Sequence, residues 1–266
     1  MLSTELCDNR RVKISVVIIA YNEERKIADA IASVKWADEI VVVDSESTDQ
    51  TVRLAAELGA RTIVRGWEGF SRQKSFATKA AANDWVLSLD ADERVTDELR
   101  QEIIGLKGRT SLPAGFRIPR LSFYMNRPIK HGGWYPDRQL RLFDRRLGSW
   151  NDRWIHESFE VSSGGTVESL QSDILHFSVD GPAHHHRMIG ERYAPLAAKQ
   201  MFASGRTTSP ARIAAASPAA FIRSYFLKLG FLDGLPGLAI AKFAGHHAFL
   251  KHLLLWEMQN RRDEVD

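Results

Sequence analysis

Four short apolar runs separated by helix-like segments are the feature that most constrains the fold of this chain. The runs lie at 14–20, 39–43, 60–64 and 85–89. The first run is continuous, apolar and β-branched, which is typical of a strand buried on both faces of a sheet, and the second is predicted as a further buried strand. The third and fourth runs are also predicted to be strands. The segments between them carry apolar residues at helical spacing, at 23–34, 49–58 and 70–82. Alternation of this kind predicts right-handed βαβ units and a mostly parallel sheet.

Beyond about residue 110 the pattern changes. Shorter strands are predicted at 115–119, 121–125 and 139–143. Helical spacing then returns in three segments, at 181–204, 210–229 and 237–258. The sequence therefore predicts an α/β domain over 1–180 and a C-terminal helical region over 181–266.

Three polar clusters follow predicted buried strands, at 21–23, 44–47 and 90–92. The carboxyl ends of parallel strands meet at one edge of the sheet, and ligands bind there. The last cluster contains Asp90 and Asp92, whose hard oxygen atoms suit Mg²⁺ or Mn²⁺. Because two carboxylates this close repel each other, a cation or well-placed donors should accompany them. Such a cation can neutralise the charge of a diphosphate. The alternative interpretation is that Asp90 and Asp92 cap the helix that follows.

The cysteine content and the hydropathy pattern bear on the compartment. The 266 residues include one cysteine, Cys7, which excludes an internal disulfide framework and fits a reducing compartment. The first residues lack the basic and apolar segments of a signal peptide. No uncharged apolar stretch approaches the roughly 20 residues that cross a bilayer. We therefore expect a cytosolic catalytic face.

Positive charge is concentrated towards the C-terminus. The net charge is +3, but residues 187–259 contain nine Lys and Arg residues against three acids. A basic, apolar helical segment suits the anionic surface of a membrane, and a packed helical subdomain with a solvated basic face is the open alternative. Nucleic acid is disfavoured as a partner because the basic residues are sparse and no recognition motif accompanies them.

Three segments carry a resemblance to a known family. The sequence SVVIIAYNEE at 15–24 resembles the opening of glycosyltransferase family 2, as does IVVVDSESTDQT at 40–51, and Asp90-Ala91-Asp92 matches the metal motif of that family. The resemblance covers about 12–105 and loosens towards 180. It implies a GT-A type, Rossmann-like, mostly parallel sheet with flanking helices, a nucleotide-sugar donor, and usually inversion at the anomeric carbon.

The resemblance also refines the predicted organisation. It implies a donor half over 12–110 and an acceptor half over 111–180. The subgroup that fits best is the lipopolysaccharide inner-core β-glucosyltransferases. The segments that support this subgroup are 69–74, 90–93, 155–157 and 231–234.

On the donor side, the resemblance implies that Glu23 and Asp44 bind the nucleoside and that Ala20 and Tyr21 line the base pocket. Helix-start and turn roles are the alternatives for the two acids. Lys74 would reach the diphosphate as a point charge, with Arg72 as a second candidate.

The resemblance also implies a divalent cation, Mg²⁺ or Mn²⁺, as cofactor. It favours Asp92 as the direct ligand and assigns Asp90 to the metal or to the ribose of the donor. His176 would be a third ligand, although a lone histidine on an apolar strand also suits a packed core.

Inversion requires a general base beside the acceptor hydroxyl. The resemblance favours Glu157, with Asp152 and Asp137 as further candidates, and a surface ion pair is the alternative role for Glu157. His156 would orient Glu157 or touch a phosphate. The mixture of aromatic and cationic groups near the predicted hairpin suits an acceptor sugar bearing phosphate, or else hairpin packing. Its members are Trp134, Asp137, Arg138 and Arg141.

The resulting prediction is a metal-dependent inverting enzyme that moves a hexose, glucose from UDP-glucose, onto a glycolipid such as the lipopolysaccharide core. It would work peripherally on the cytoplasmic face of the inner membrane. The enzymatic alternative transfers sugar to polyprenyl phosphate or another envelope polysaccharide. The alternative from another class is a non-catalytic module that binds a sugar nucleotide or a membrane. A nucleotidyltransferase is disfavoured because no Gly-rich basic loop follows the first strand.

Overall fold

A computed structural model describes residues 12–152 and 157–260. The chain divides into two compact units. The first holds the residues up to Arg120 together with Asp137–His176, and the second holds Leu121–Pro136 and the residues from Phe177 onward. The predicted functional boundary at residue 180 stays a prediction. In the structure, Leu121–Pro136 belongs to the same compact unit as the C-terminal helices.

Twelve strands lie in the described part of the chain. They are β1 (Ile14–Ala20), β2 (Glu39–Asp44), β3 (Arg61–Val64), β4 (Trp85–Asp90), β5 (Glu93–Val95), β6 (Gly115–Tyr124), β7 (Arg127–Pro128), β8 (Asp137–Asp144), β9 (Gly148–Trp150), β10 (Phe159–Val161), β11 (Val167–Ser169) and β12 (Ile174–His176).

The same residues form eight α-helices. They are α1 (Ile27–Ser33), α2 (Thr51–Glu57), α3 (Phe70–Ala80), α4 (Asp97–Leu106), α5 (Pro182–Arg187), α6 (Ala194–Ala203), α7 (Pro210–Ile222) and α8 (Gly234–Asn260).

The main sheet has the order β3-β2-β1-β4-β8-β6-β12-β5. The four predicted strands form its parallel half as β1 to β4, of which β3 is a partly exposed edge strand, and β8 runs antiparallel to β4 and β6. The predicted α/β fold with a mostly parallel sheet and flanking helices is therefore confirmed. The two short strands predicted on either side of Arg120 are one strand, β6, because Pro119 stays within the ladder opposite Arg138.

Side-chain alternation along β1 builds the core on both faces of the sheet. Val16 and Ile18 pack in one apolar cluster, whereas Val17 and Ile19 pack in the other. The first cluster also contains buried residues of α1 and α4, and the second contains Ala77 of α3. Every residue of β1 is buried, which explains its continuous apolar sequence.

The strand register brings the predicted polar clusters to one edge. Ala20 at the end of β1 pairs with Asp44 at the end of β2, and Ile19 pairs with Asp90 at the end of β4. The residues that follow these three positions therefore start from neighbouring points on the carboxyl edge of the parallel half.

The second unit is mainly helical. A π-helical turn, Met188–Tyr193, joins α5 to α6, and a second one, Arg223–Leu227, continues α7. The side chain of Ser209 accepts a hydrogen bond from the Arg212 N–H and caps α7, which begins with Pro210. None of the helices within residues 12–152 and 157–260 combines the length and the apolar character that a membrane span needs.

Candidate active site

Asp44 braces the loop that follows β2. Its carboxylate is fully buried and accepts a 2.7 Å hydrogen bond from the Ser47 N–H and another from the Ser47 hydroxyl. The Ser47 hydroxyl also accepts from the Asn22 N–H at 2.8 Å, and the Asn22 carboxamide oxygen accepts from the Thr48 N–H at 2.9 Å. Asp44 therefore holds the loops after β1 and β2 against each other. Its predicted contact with the nucleoside stays a prediction.

Residues 20–23 present different groups at the same edge. Ala20 is buried, whereas the side chain of Tyr21 is 58% exposed and therefore accessible to a ligand. The Glu23 N–H donates to the Thr51 hydroxyl at 2.8 Å, and its carboxylate lies 3.6 Å from the ammonium group of Lys26. Backbone anchoring thus fixes Glu23 just before α1, and its carboxylate stays partly accessible.

Lys74 links two of the predicted functional acids. It lies on α3 with a side chain only 3% exposed. Its ammonium nitrogen is 3.0 Å from Asp90 Oδ1 and 3.0 Å from Glu157 Oε1. These three residues are separated by up to 83 positions in the sequence, and the fold brings them together.

Arg141 of β8 completes the group on the other side of Asp90. Its Nη2 atom lies 2.9 Å from Asp90 Oδ2 and 2.7 Å from Glu93 Oε1. Burial favours the neutral form of Asp90, but the charges of Lys74 and Arg141 outweigh it and hold the pKa of Asp90 well below its usual value. Asp90 is therefore ionised in the folded protein.

Glu93 and Arg120 extend this group, and the sequence did not assign either to the site. Glu93 is fully buried, accepts from the guanidinium groups of Arg141 and Arg120, and accepts from the Asp90 N–H at 3.0 Å. Arginines within the apolar strands β6 and β8 are the signal that could have found this network, because a buried guanidinium needs a carboxylate partner.

Asp137 and Arg138 are both engaged at the start of β8. Arg120 binds the Asp137 carboxylate through two nitrogens, and Gln139 donates to the same carboxylate at 2.6 Å. Burial opposes ionisation, but these partners lower the pKa of Asp137. The Arg138 guanidinium donates to the Leu170 carbonyl at 2.8 Å. A substrate that used either side chain would therefore compete with an existing partner.

Asp92 and His176 form a second pair of candidate ligands. Their nearest atoms, Oδ2 and Nε2, are 3.7 Å apart, and both side chains are mostly buried. Burial raises the pKa of Asp92, and the charges of Asp90 and Glu93 add to this effect although His176 opposes it. A divalent cation would relieve the cost of ionising this buried carboxylate. Carboxylate oxygens suit Mg²⁺ or Mn²⁺, and an imidazole ligand favours a transition metal such as Mn²⁺ over Mg²⁺. The donor set of Asp92 and His176 therefore fits the implied metal.

The complete set of predicted metal ligands is not assembled in the described part of the chain. No group of three or more His, Cys, Asp or Glu residues there is arranged to hold a metal ion. The Asp90 carboxylate is bound by Lys74 and Arg141. The metal role of Asp90 stays a prediction.

Trp134, His156 and Asp152 are the other predicted acceptor residues and candidate bases. Trp134 belongs to the second unit, where its ring packs edge-on against Tyr124 and His185 with centroids 5.9 Å away. His156 lies outside the described residues. Asp152, a further candidate base, is strongly exposed and lies 3.7 Å from Arg72.

Comparison with known proteins bears on this arrangement. The family model described as "Glycosyl transferase family 2" matches residues 15–150. The chain belongs to glycosyl transferase family 2. This matched region of the family 2 enzyme contains Lys74, Asp90, Asp92 and Arg141. The predicted family and the prediction of an enzyme, a glycosyltransferase, are both confirmed.

Two curated relatives match along most of the chain. An uncharacterized glycosyltransferase of Rickettsia typhi is 31% identical over 95% of this chain and 90% of its own length. The lipopolysaccharide core biosynthesis glycosyltransferase LpsC of Rhizobium meliloti is 30% identical over 90% of each chain. This family 2 enzyme is therefore similar, along nearly its whole described length, to a glycosyltransferase of lipopolysaccharide core biosynthesis.

Among solved structures, glucosyl-3-phosphoglycerate synthase from Mycobacterium tuberculosis, in complex with Mn²⁺, UDP and glucosyl-3-phosphoglycerate, is 27% identical. The match covers 42% of this chain and 44% of that chain, with a TM-score of 0.34.

Proposed function

We propose that this family 2 enzyme transfers a hexose, glucose, from a UDP-sugar to a glycolipid of the lipopolysaccharide core, with inversion and with a divalent cation. The observation that carries the proposal is the position of Lys74, 3.0 Å from both Asp90 and Glu157. One buried ammonium thus joins the predicted donor-binding acid to the predicted base. A sugar transferred between two substrates must meet both groups within a few ångströms.

In this proposal Glu157 is the general base. It takes the proton from the acceptor hydroxyl as the oxygen attacks the anomeric carbon of the donor. The bond from that carbon to the diphosphate breaks, and its electron pair leaves with the nucleoside diphosphate. Attack from the side opposite the leaving group inverts the configuration.

Lys74 serves the leaving group. Its ammonium donates to the diphosphate oxygens and stabilises the negative charge that grows on them. The same ammonium pairs with Glu157 in the free protein. Binding of the diphosphate therefore draws Lys74 away from Glu157 and leaves that carboxylate available for the acceptor proton.

The remaining residues bind and orient the substrates. Asp92 and His176 would hold the cation, which supplies further neutralisation of the diphosphate when bound. We place Asp90 beside the ribose or the metal, and we assign Arg141 to its buried support because the Arg141 Nη2 atom contacts both Asp90 and Glu93. The nucleoside would lie against Tyr21.

Further contacts complete the two substrate sites. Glu23 and Asp44 would bind the nucleoside, and Ala20 would form the floor of its pocket. On the acceptor side, Asp137 and Arg138 would contact the acceptor, and the acceptor roles of Trp134, Arg141 and His156 stay predictions from the sequence. In this scheme residues 12–110 serve the donor and residues 111–180 serve the acceptor.

We also propose that the enzyme acts peripherally on the cytoplasmic face of the inner membrane. The relationship to LpsC supports an acceptor that is a membrane glycolipid. The nine basic residues against three acids over 187–259 support attraction to an anionic surface.

The test is turnover and binding of a panel of nucleotide sugars with Mg²⁺, Mn²⁺ or EDTA. Asp92→Asn is compared with Asp97→Asn, whose side chain is 86% exposed on α4. We expect one UDP-hexose to turn over only with metal, and only Asp92→Asn to lose that turnover. Binding that ignores both metal and Asp92, without turnover of any donor, would contradict the proposal and favour a non-catalytic binding module.

Acceptor identity is tested separately with the preferred donor. Core glycolipid lacking the outer sugars is compared with polyprenyl phosphate. Transfer to the core glycolipid is the expected result. Transfer to polyprenyl phosphate alone would favour the alternative envelope pathway and would leave the donor half of the proposal intact.

A further inference from the structure

Seven large apolar side chains are exposed within residues 222–235 of the second unit, a segment that we call the apolar turn. It includes the π-helical turn after α7 and the 3-10 helix Gly230–Asp233. The exposed apolar residues are Ile222, Phe226, Leu227, Leu229, Phe231, Leu232 and Leu235. Leu227 is 75% exposed and Leu235 is 64% exposed. An apolar concentration of this size marks an interaction surface, because scattered single residues are the usual pattern.

Internal hydrogen bonds fix the backbone of the apolar turn. The Gly132 N–H donates to the Lys228 carbonyl at 2.8 Å. The Asp233 carboxylate accepts from the His131 N–H at 2.8 Å and lies 2.9 Å from His131 Nδ1. The Ser224 hydroxyl donates to the Gly132 carbonyl at 3.3 Å. The turn is thus tied to residues 131–132 of the same unit, and this anchored backbone keeps its apolar side chains pointing outward.

The exposed charges of the apolar turn are all positive. Arg223 and Lys228 are exposed, whereas the Asp233 side chain is only 7% exposed and faces His131. The turn therefore presents apolar side chains with two cations and no exposed carboxylate of its own. That combination is complementary to an anionic bilayer, which offers phosphate groups above an apolar interior.

A second copy of the chain fits this surface less well. A two-fold contact places the same patch against itself. Arg223 and Lys228 would then face cations of the same kind, and like charges across an interface are unfavourable.

We propose that the apolar turn is the surface through which the enzyme docks on an anionic bilayer. Leu227, Leu232 and Leu235 enter the boundary between headgroups and acyl chains, while Arg223 and Lys228 contact lipid phosphates. This proposal rests on the proposed glycolipid acceptor for its biological purpose. It goes further by assigning membrane contact to one short turn rather than to the whole basic segment over 187–259.

The test is flotation of the full chain with vesicles, without donor or acceptor. One set contains phosphatidylcholine alone, and the other contains equal parts of phosphatidylcholine and phosphatidylglycerol. We expect binding to the anionic vesicles that weakens as salt rises. Arg223→Gln with Lys228→Gln should weaken that binding by about 30-fold, equivalent to about 2 kcal/mol at 1.4 kcal/mol per tenfold change.

Leu227→Ser with Leu235→Ser should abolish flotation, because it removes two of the three inserted leucines. The matched control is Leu196→Ser with Leu253→Ser, which removes exposed leucines from α6 and from a point roughly 27 Å along α8. The matched charge control is Arg187→Gln with Lys199→Gln, which removes one exposed Arg and one exposed Lys from elsewhere in the same unit. Both controls should bind like the wild type, and far-UV circular dichroism checks that every variant is folded.

Three outcomes would overturn the proposal. They are absence of flotation of the wild type, flotation of the turn variants at the wild-type level, and a wild-type dimer that becomes monomeric in the leucine variant. Donor turnover is measured in the same preparations without vesicles. Loss of flotation with intact turnover therefore concerns docking alone, and loss of turnover with intact flotation concerns the proposed reaction alone.

Discussion

The substitution Glu93→Gln removes the carboxylate that two guanidinium groups share. Glu93 is fully buried, and its Oε1 atom lies 2.7 Å from Arg141 and 3.1 Å from Arg120. The Arg141 side chain is only 4% exposed, so water cannot replace the lost partner. Leaving a buried charge without its partner typically costs about 3–5 kcal/mol.

The partners that Arg141 and Arg120 keep in Glu93→Gln determine where in that range the loss of unfolding free energy falls. Asp90 stays 2.9 Å from Arg141, and Asp137 stays paired with Arg120. Glutamine also keeps an oxygen that can accept from the Asp90 N–H, so that hydrogen bond is retained. We therefore expect Glu93→Gln to lower the free energy of unfolding by about 3 kcal/mol, the lower end of the range for a broken buried pair.

Urea unfolding followed by far-UV circular dichroism measures this change as a shift in midpoint at constant slope. Glu68→Gln is the matched control. Glu68 lies 2.7 Å from Arg65, but its side chain is 50% exposed, and exposed pairs contribute at most about 1 kcal/mol. A double-mutant cycle with Arg141→Met adds a second measurement. Part of the loss should be recovered when Arg141 no longer needs a carboxylate.

The reasoning is refuted if Glu93→Gln and Glu68→Gln shift the unfolding free energy by the same amount with unchanged slopes. Additive effects of Glu93→Gln and Arg141→Met would refute the claim that the two charges depend on each other. Either result would mean that the network is more hydrated than its burial indicates.

Three further predictions concern activity and pH. Lys74→Met should lower kcat/KM for transfer by roughly 10²–10³-fold, because removing one hydrogen-bond donor to a developing anion has an effect of that size. Lys79→Met, on the exposed face of α3, should leave kcat/KM unchanged. Glu157→Gln should lower kcat by roughly 10²–10⁴-fold with little change in donor binding, as expected for a general base, and equal kcat values would exclude that role. Burial, aided by His184, lowers the pKa of His185 to about 4. Between about pH 6.5 and about pH 4 the unfolded chain binds a proton at His185 that the folded chain does not, so the free energy of unfolding decreases as the pH is lowered. The expected decrease between pH 7 and pH 5 is about 2 kcal/mol. Urea midpoints for His185→Phe should show this loss reduced, and an unchanged pH dependence would contradict the shift.

The parallel half of the sheet and its ligand-binding edge were predictable because they rest on local patterns. The continuous Val and Ile run of β1 specifies a strand buried on both faces, and the helices between the apolar runs specify parallel connections. Asp90 and Asp92 follow directly from the end of such a strand. The family was likewise recognisable because its motifs are short, ordered segments at the ends of these strands.

The partners of those carboxylates were decided only by the tertiary structure. Asp90, Arg141 and Glu157 come from distant parts of the sequence, and nothing in local spacing indicates that Lys74 lies between two acids. The same holds for Glu93, which is next to the metal motif in sequence but is buried beneath Arg141 and Arg120. The outward direction of the apolar turn also depends on hydrogen bonds to residues about one hundred positions earlier. Periodicity reports which face of an element is apolar, whereas charge pairing depends on which elements the fold brings into contact. The sequence by itself therefore determined the fold class and the edge where chemistry occurs, and the tertiary structure decided which charges oppose one another there.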